Sequence, residues 1–287
     1  SLGDLADAMQ WLALPGGAGL FEQDDESDAL FVLLYGRLAA VRTGNDGQSR
    51  ALGCVSPGEC VGEIGLITHQ PRSASVFAMR DSELLRLPRS AFEKLLAIHP
   101  AAMLGMTRIA LRRSGASQGA PATARSFALV PTLPGLDLVA FARQLAVALG
   151  DDPERALVSA EQARDRDAGW FSAREARSPH LVYIGSNEPG WQERCLRQSD
   201  CVLLLGDGRR TPDPGTDWPA PATNIHVPQH LVLLQPDRPL HGSSQAWRRA
   251  YPDIKGHHHV RGAADMARLA RRLRGHAVGL VLSGGGA

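Results

Sequence analysis

The stretch that decides the reading of the N-terminal half is Gly58-Glu-Cys-Val-Gly-Glu-Ile-Gly-Leu-Ile-Thr-His-Gln-Pro-Arg-Ser-Ala74. Gly62 allows a close backbone approach, and Glu63-Ile64-Gly65-Leu66 has the length of one helical turn. The free N–H groups at the start of such a turn bind an anion. Arg72, nine residues after Glu63, can return from the next strand with charged hydrogen bonds to the same phosphate. Glu63 is an acceptor suited to a ribose 2′-hydroxyl, and Pro71 fixes the chain just before the arginine.

Outward from this segment, residues 20 to 90 break into short strand-like runs: 29–35, 38–42, 52–55, 75–79 and 83–87. Gly36, Gly44-Asn-Asp-Gly47 and Pro57-Gly58 separate them, which predicts a β-sandwich or jelly roll. Ser90 is placed to cap a helix through Phe92, Leu95, Leu96 and Ile98, and a second helix is expected from Pro100 to about Arg113. Residues 114–126 are small, polar and rich in breakers, and read as a linker. The texture then changes. Apolar runs at 127–130, 156–158, 180–184, 201–205 and 231–234, with helical patterns at 138–149 and 263–274, predict a parallel α/β sheet covered on both faces. A last strand is expected at 277–282.

Composition narrows the function classes. The 287 residues, 44% of them hydrophobic, suffice for two globular domains. Lys plus Arg number 31 against 30 acidic residues, which argues against a chain held on nucleic acid by bulk charge. Cys54, Cys60, Cys195 and Cys201 have no zinc or disulfide spacing, and no metal is called for. With no signal sequence or membrane span, the expected location is cytoplasmic, or peripheral at the inner face of a membrane. Ser1 and the ending in Gly284-Gly285-Gly286-Ala287 suggest a fragment of a longer protein.

Val61-Gly62-Glu63-Ile64-Gly65-Leu66 with Pro71-Arg72-Ser73-Ala74 resembles the phosphate-binding cassette of cyclic-nucleotide-binding domains, and the resemblance covers about residues 5 to 113. It implies a β jelly-roll barrel with flanking helices, with Gly62, Glu63, Ile64, Gly65, Arg72 and Ser73 as the nucleotide-binding set. A degenerate member would usually have lost the Glu or the Arg, and both are present in this chain. In that family a threonine after the arginine helps guanine. Ser73 has the hydroxyl without the methyl, and it also resembles bacterial cAMP sensors. The ligand is therefore cAMP or cGMP, with the balance toward cAMP. Asp24-Asp25 stands where many members have Gly-Asp.

Val278 to Ala287 is a strand entering a glycine turn. It resembles the opening of patatin-like phospholipases, in which Gly284, Gly285 and Gly286 would form an oxyanion hole. The G-x-S-x-G nucleophile and its aspartate are not in this sequence, so no hydrolase activity is expected of the chain by itself. The order of parts, together with Trp191 to Leu205, Trp247, His257 to Arg261 and Arg268 to Leu282, resembles bacterial members of the neuropathy target esterase family. The implied organisation is a cyclic-nucleotide-binding domain at 1–113, a linker at 114–126, a Rossmann-like α/β pre-catalytic domain at 127–275, and the start of a patatin-like domain at 276–287. The implied function is cyclic-nucleotide control of a lysophospholipase-like serine esterase. Its partners would be the nucleotide, the chain's own patatin-like domain, and anionic lipid or a membrane surface, with no nucleic acid.

Other features have milder readings. Pro131-Thr-Leu-Pro-Gly-Leu lacks the glycine spacing and lysine of a P-loop, so a spacer or relay role outweighs ATP or GTP binding. His257-His258-His259 would alternate between faces of a strand and seldom converge on one ion. Arg261, Arg268, Arg271, Arg272 and Arg274 form a basic cluster suited to lipid headgroups, although a solvated helix face is the default. The alternative to an esterase regulator is a cyclic-nucleotide-dependent transcription regulator. That protein would need a winged helix-turn-helix where this sequence has α/β texture.

Overall fold

The computed structural model describes residues 7–44, 46–98, 124–186, 188, 190–212, 227–235 and 243–277. The expected helix at 100–113, most of the 114–126 linker, all but the first residue of the strand at 277–282 and the glycine turn Gly284, Gly285 and Gly286 lie outside these residues.

The N-terminal unit holds β1 (Gln10–Leu14), β2 (Gly19–Phe21), β3 (Ala29–Tyr35), β4 (Leu38–Thr43), β5 (Ser49–Val55), β6 (Cys60–Val61), α1 (Glu63–Thr68), β7 (Ser75–Ala78), β8 (Ser82–Pro88) and α2 (Arg89–Ile98). Two antiparallel four-stranded sheets, ordered β1-β8-β3-β6 and β2-β7-β4-β5, form the expected jelly roll. Alternation decides which side chains fill it: Val76 and Ala78 of β7 point in with Leu14, Phe31, Leu33, Leu38, Val61 and Leu84. The other face of β3 carries Leu30, which packs with Leu87, Ala91, Phe92 and Leu66 and seats α2 outside the barrel. The helix begins at Arg89, so Ser90 lies inside it and does not cap it. The chain runs straight out of β8, and the Arg89 N–H is taken by the Asp28 carbonyl at 2.8 Å.

The second unit holds β9 (Ser126–Pro131), α3 (Leu138–Leu149), α4 (Pro153–Ala156), β10 (Leu157–Val158), α5 (Ala160–Ala163), α6 (Ala168–Arg177), β11 (Leu181–Ile184), α7 (Trp191–Gln198), β12 (Cys201–Asp207), β13 (Gln229–Leu234), α8 (Ser243–Ala250), β14 (Gly256–Val260) and α9 (Ala263–Leu273). Its six strands are all parallel, in the order β10-β11-β9-β12-β13-β14. Uninterrupted apolar strands serve two cores at once. Phe127, Leu129, Leu203, Leu205 and Val232 meet α3 and α9 on one face. Ala128, Val130, Tyr183, Val202 and Leu204 meet Trp191, Cys195 and Trp247 on the other. Asp137 caps α3 by accepting from the Ala140 N–H at 2.9 Å, and Gly150 closes the helix at φ 89°. Strand β9 starts at Ser126, which pairs with Leu181, and the Ser126 hydroxyl donates to the Gln198 carbonyl at 3.0 Å. No helix among the described residues is long and apolar enough to cross a membrane.

The consecutive histidines lie on the edge strand β14 and alternate as expected. His258 meets His230 of β13 (Nε2 to Nδ1, 3.1 Å), while His257 and His259 lie ring to ring at 5.6 Å. Burial and the charges of His230, Arg272, His257 and Arg268 push His258 down to about 4, and burial and Arg272 lower His230 as well. A histidine held neutral in the fold binds its proton only on unfolding, so stability should fall as pH drops from 6.5 towards 4. Urea unfolding across that window should show the decline, and His258→Gln should flatten it. An unchanged slope in that variant would assign the acid sensitivity elsewhere.

The two units touch. The Gly36 N–H donates to the Ser172 hydroxyl of α6 at 3.1 Å, and Arg80 leaves the barrel to reach Glu175 and Asp200.

Candidate functional site

The cassette grows from two-residue β6. Gly62 then turns left-handed (φ 89°) and starts α1 without a side-chain cap. Two glycines there are required by space. A Cβ on Gly62 would lie 2.4 Å from Arg72 Nη1, and one on Gly65 would lie 2.0 Å from the Ser27 hydroxyl oxygen. Gly62→Ala should therefore cost about 1–3 kcal/mol of unfolding free energy, from left-handed strain plus displacement of Arg72. Urea titration checks this, and an unchanged midpoint would mean that Arg72 has room the structure does not show.

Glu63 opens α1 and is 3% exposed. The helix ends at His69, whose φ of 55° turns the chain back towards the barrel. Backbone bonds then pin the arginine: the Arg72 N–H donates to the Asp25 carbonyl at 2.8 Å, and the Asp24 N–H to the Arg72 carbonyl at 2.9 Å. Asp24 takes a left-handed φ of 70°, so an aspartate does here what a glycine does more readily.

Arg72 is 2% exposed and already engaged. Nη1 donates to the Gly62 carbonyl and Nη2 to Asp28 Oδ1, each at 3.0 Å. The guanidinium lies over the Phe21 ring at 4.3 Å. Its Nε is the one nitrogen of the group without a partner among the described residues. Burial pulls the Arg72 pKa down despite Asp28. Asp28 goes down too: partial burial would raise it, but Arg86, donating to Oδ2 at 2.6 Å, outweighs that, and Arg72 adds to the lowering.

Arg72 also lines a cavity of 510 Å³ at the barrel mouth, with Phe21, Phe31, Asp25, Glu26, Asp28 and Arg86 among its walls. Gly62, Glu63, Ile64, Gly65 and Ser73 lie outside that wall. The structure thus joins Arg72 to Gly62 directly, keeps Glu63 buried, and leaves Ile64 and Ser73 exposed. Reading the sequence for a cassette missed Asp28, Phe21 and Phe31, which hold the guanidinium from strands and loops forty to fifty residues earlier. The available signal was an acidic pair, Glu26 and Asp28, immediately before an apolar strand.

The jelly roll defines a class of fold, and residues 11–99 match the cyclic nucleotide-binding domain. Residues 154–277 match the neuropathy target esterase family P-loop like domain, following the cyclic nucleotide-binding match in the same chain. Strand β9 and helix α3 precede the second match yet belong to the same sheet unit. The chain is 27% identical to patatin-like phospholipase domain-containing protein 7 of Mus musculus, over 98% of this chain and 26% of that protein. It is 26% identical to lysophospholipase NTE1 of Mycosarcoma maydis, over 98% of this chain and 20% of that protein. It is also 27% identical to neuropathy target esterase sws of Drosophila melanogaster, over 98% of this chain and 24% of that protein. The chain therefore spans a fifth to a quarter of the length of these relatives. Among solved structures, a cyclic nucleotide-binding domain from Methylobacillus flagellatus KT superposes with a TM-score of 0.36 at 27% identity, covering 39% of this chain and 66% of that one.

Proposed function

We propose that this chain is the cyclic-nucleotide-sensing regulatory region of a patatin-like serine lipid esterase, and that it binds cAMP or cGMP to control hydrolysis by a catalytic domain outside these 287 residues. The observation that carries the reading is the buried pair of Glu63 and Arg72, set at the two ends of the α1 cassette, with the guanidinium against the Gly62 carbonyl. In this reading Glu63 accepts from the ribose 2′-hydroxyl. Arg72 and the N–H groups opening α1 take the cyclic phosphate, assisted by Ser73. The phosphate must share Arg72 with Asp28, which sets a cost on binding and makes occupancy change the arginine's partners. The sequence relatives, described as lysophospholipases and neuropathy target esterases, support lipid esters as what the whole protein acts on. A transcription regulator is disfavoured, because a parallel sheet stands where a DNA-reading helix would have to be.

Calorimetric titration of the chain with cAMP and with cGMP tests the proposal. Saturable heat from one of them supports it. No heat with either, from folded protein, would make the barrel a structural relic and end this reading.

A further inference from the structure

Arg72 and Arg80 stand beyond the two ends of β7, eight residues apart in sequence. That strand is interior to its sheet, paired with β2 on one side and β4 on the other. Its far end is tied further: the Gly17 N–H donates to the Ala78 carbonyl at 2.6 Å, and the Met79 N–H to the Arg37 carbonyl at 2.8 Å. Hydrogen bonds along both edges and at this end tie the strand into its sheet.

At that far end Arg80 leaves the barrel and enters the α/β unit, only 2% exposed. Nη1 bonds Glu175 of α6, and Nη2 donates to Asp200 Oδ1, just before β12, at 2.7 Å. Asp200 is itself fixed, accepting from the N–H groups of Arg125 at 2.8 Å and Ser126 at 3.1 Å, with Arg37 of the barrel 3.9 Å away. Beside this group Asp81 accepts from the Gly16 N–H at 2.9 Å and from Arg197 Nε of α7 at 3.0 Å. The Tyr183 hydroxyl is buried with no hydrogen-bond partner among the described residues, and Tyr183 interacts electrostatically with Glu175 and Arg80. Burial pushes Glu175 up. It would push Asp200 up as well, but the Arg80 guanidinium holds that carboxyl below its usual range.

Such an interface is directional and not adhesive. Buried ion pairs contribute little net stability against apolar packing, while their fork geometry tolerates little displacement. We propose that β7 and Arg80 form a transmission element, in which ligand binding at Arg72 resets the seating of Arg80 on Glu175 and Asp200, so that α6 and the start of β12 report occupancy of the barrel. This rests on the reading that a cyclic nucleotide binds at Arg72. It places the route to the α/β unit through a direct contact, in addition to whatever the covalent linker carries. By linkage, loosening the Arg80 seat must also alter nucleotide affinity.

The test is hydrogen exchange of residues 168–177 and 199–205, with and without saturating cAMP or cGMP, in the wild-type chain, Arg80→Gln and Glu175→Gln. Nucleotide should change exchange of these amides at least threefold in the wild type. Glu175→Gln should still give binding heat while losing more than half of that response. Should Arg80→Gln fail to fold, Glu175→Gln decides the matter, since its side chain sits at the rim and leaves Arg80 paired with Asp200. Binding heat with silent α6 amides in the wild type, or an undiminished response in the variants, overturns the transmission and leaves nucleotide binding standing. Absence of heat in the wild type overturns the binding reading and the transmission together.

Discussion

Arg72→Ala should weaken binding of cAMP or cGMP at least thirtyfold, with the chain still folded. Removing one partner of a buried, hydrogen-bonded charge pair costs about 2–5 kcal/mol, and every 1.4 kcal/mol is about tenfold in affinity. The loss has three parts. The phosphate loses its charged donors, and the Gly62 carbonyl loses the 3.0 Å bond that braces the cassette. Phe21 and Phe31 lose the guanidinium that lies against their rings. Arg72→Lys should fall between the two, because an ammonium cannot serve Gly62, Asp28 and a phosphate in one plane. Circular dichroism and an unfolding curve must accompany the titration, since the second and third parts also lower stability. A folded Arg72→Ala that binds as the wild type does would remove the cassette from the account. Any nucleotide bound would then have to sit elsewhere.

The barrel was legible because its signals are local. Strands of period two separated by glycine turns come within one or two residues of the observed β3, β4, β7 and β8. The short helix and the burial of Glu63 and Arg72 beside it were legible for the same reason: the glycines, the glutamate and the arginine fall within eleven residues. What surrounds Arg72 was not legible. Phe21 reaches it from β2 and Asp28 from the loop before β3, a juxtaposition that sequence spacing does not encode.

In the second unit the buried strands announced themselves as apolar runs, but β14 did not. Its Gly-His-His-His-Val reads as polar because it is an edge strand, with one neighbour and half its face wet. Helices α6, α7 and α8 were likewise obscured, since their polar and charged residues break up the apolar pattern. Some of their arginines and acids have partners in the other unit, as Arg197 does in Asp81 and Glu175 in Arg80. A charged helix face that would ordinarily be solvated is here part of an interface, and only the tertiary structure distinguishes the two.

Asp200→Ala should lower the unfolding free energy by about 3–5 kcal/mol at pH 7, the usual cost of leaving a buried charge without its partner. The carboxylate is 11% exposed and receives Arg80, the Arg125 N–H and the Ser126 N–H. Its removal orphans two backbone donors and leaves Arg80 to Glu175 alone. Asp200→Asn keeps the shape but offers an amide to three donors, so it should lose less than alanine and more than a surface substitution. The pH dependence carries a sign. Arg80 holds the Asp200 pKa below the ordinary 3.8, so its contribution is present above that value and disappears as pH falls through the folded pKa. The gap between wild type and Asp200→Ala in urea unfolding should therefore hold from pH 7 down to about 4 and close only below it. A loss under about 1 kcal/mol would mean that Arg80 is satisfied without Asp200. The contact between barrel and α/β unit would then be too weak to carry a signal, whatever binds at Arg72.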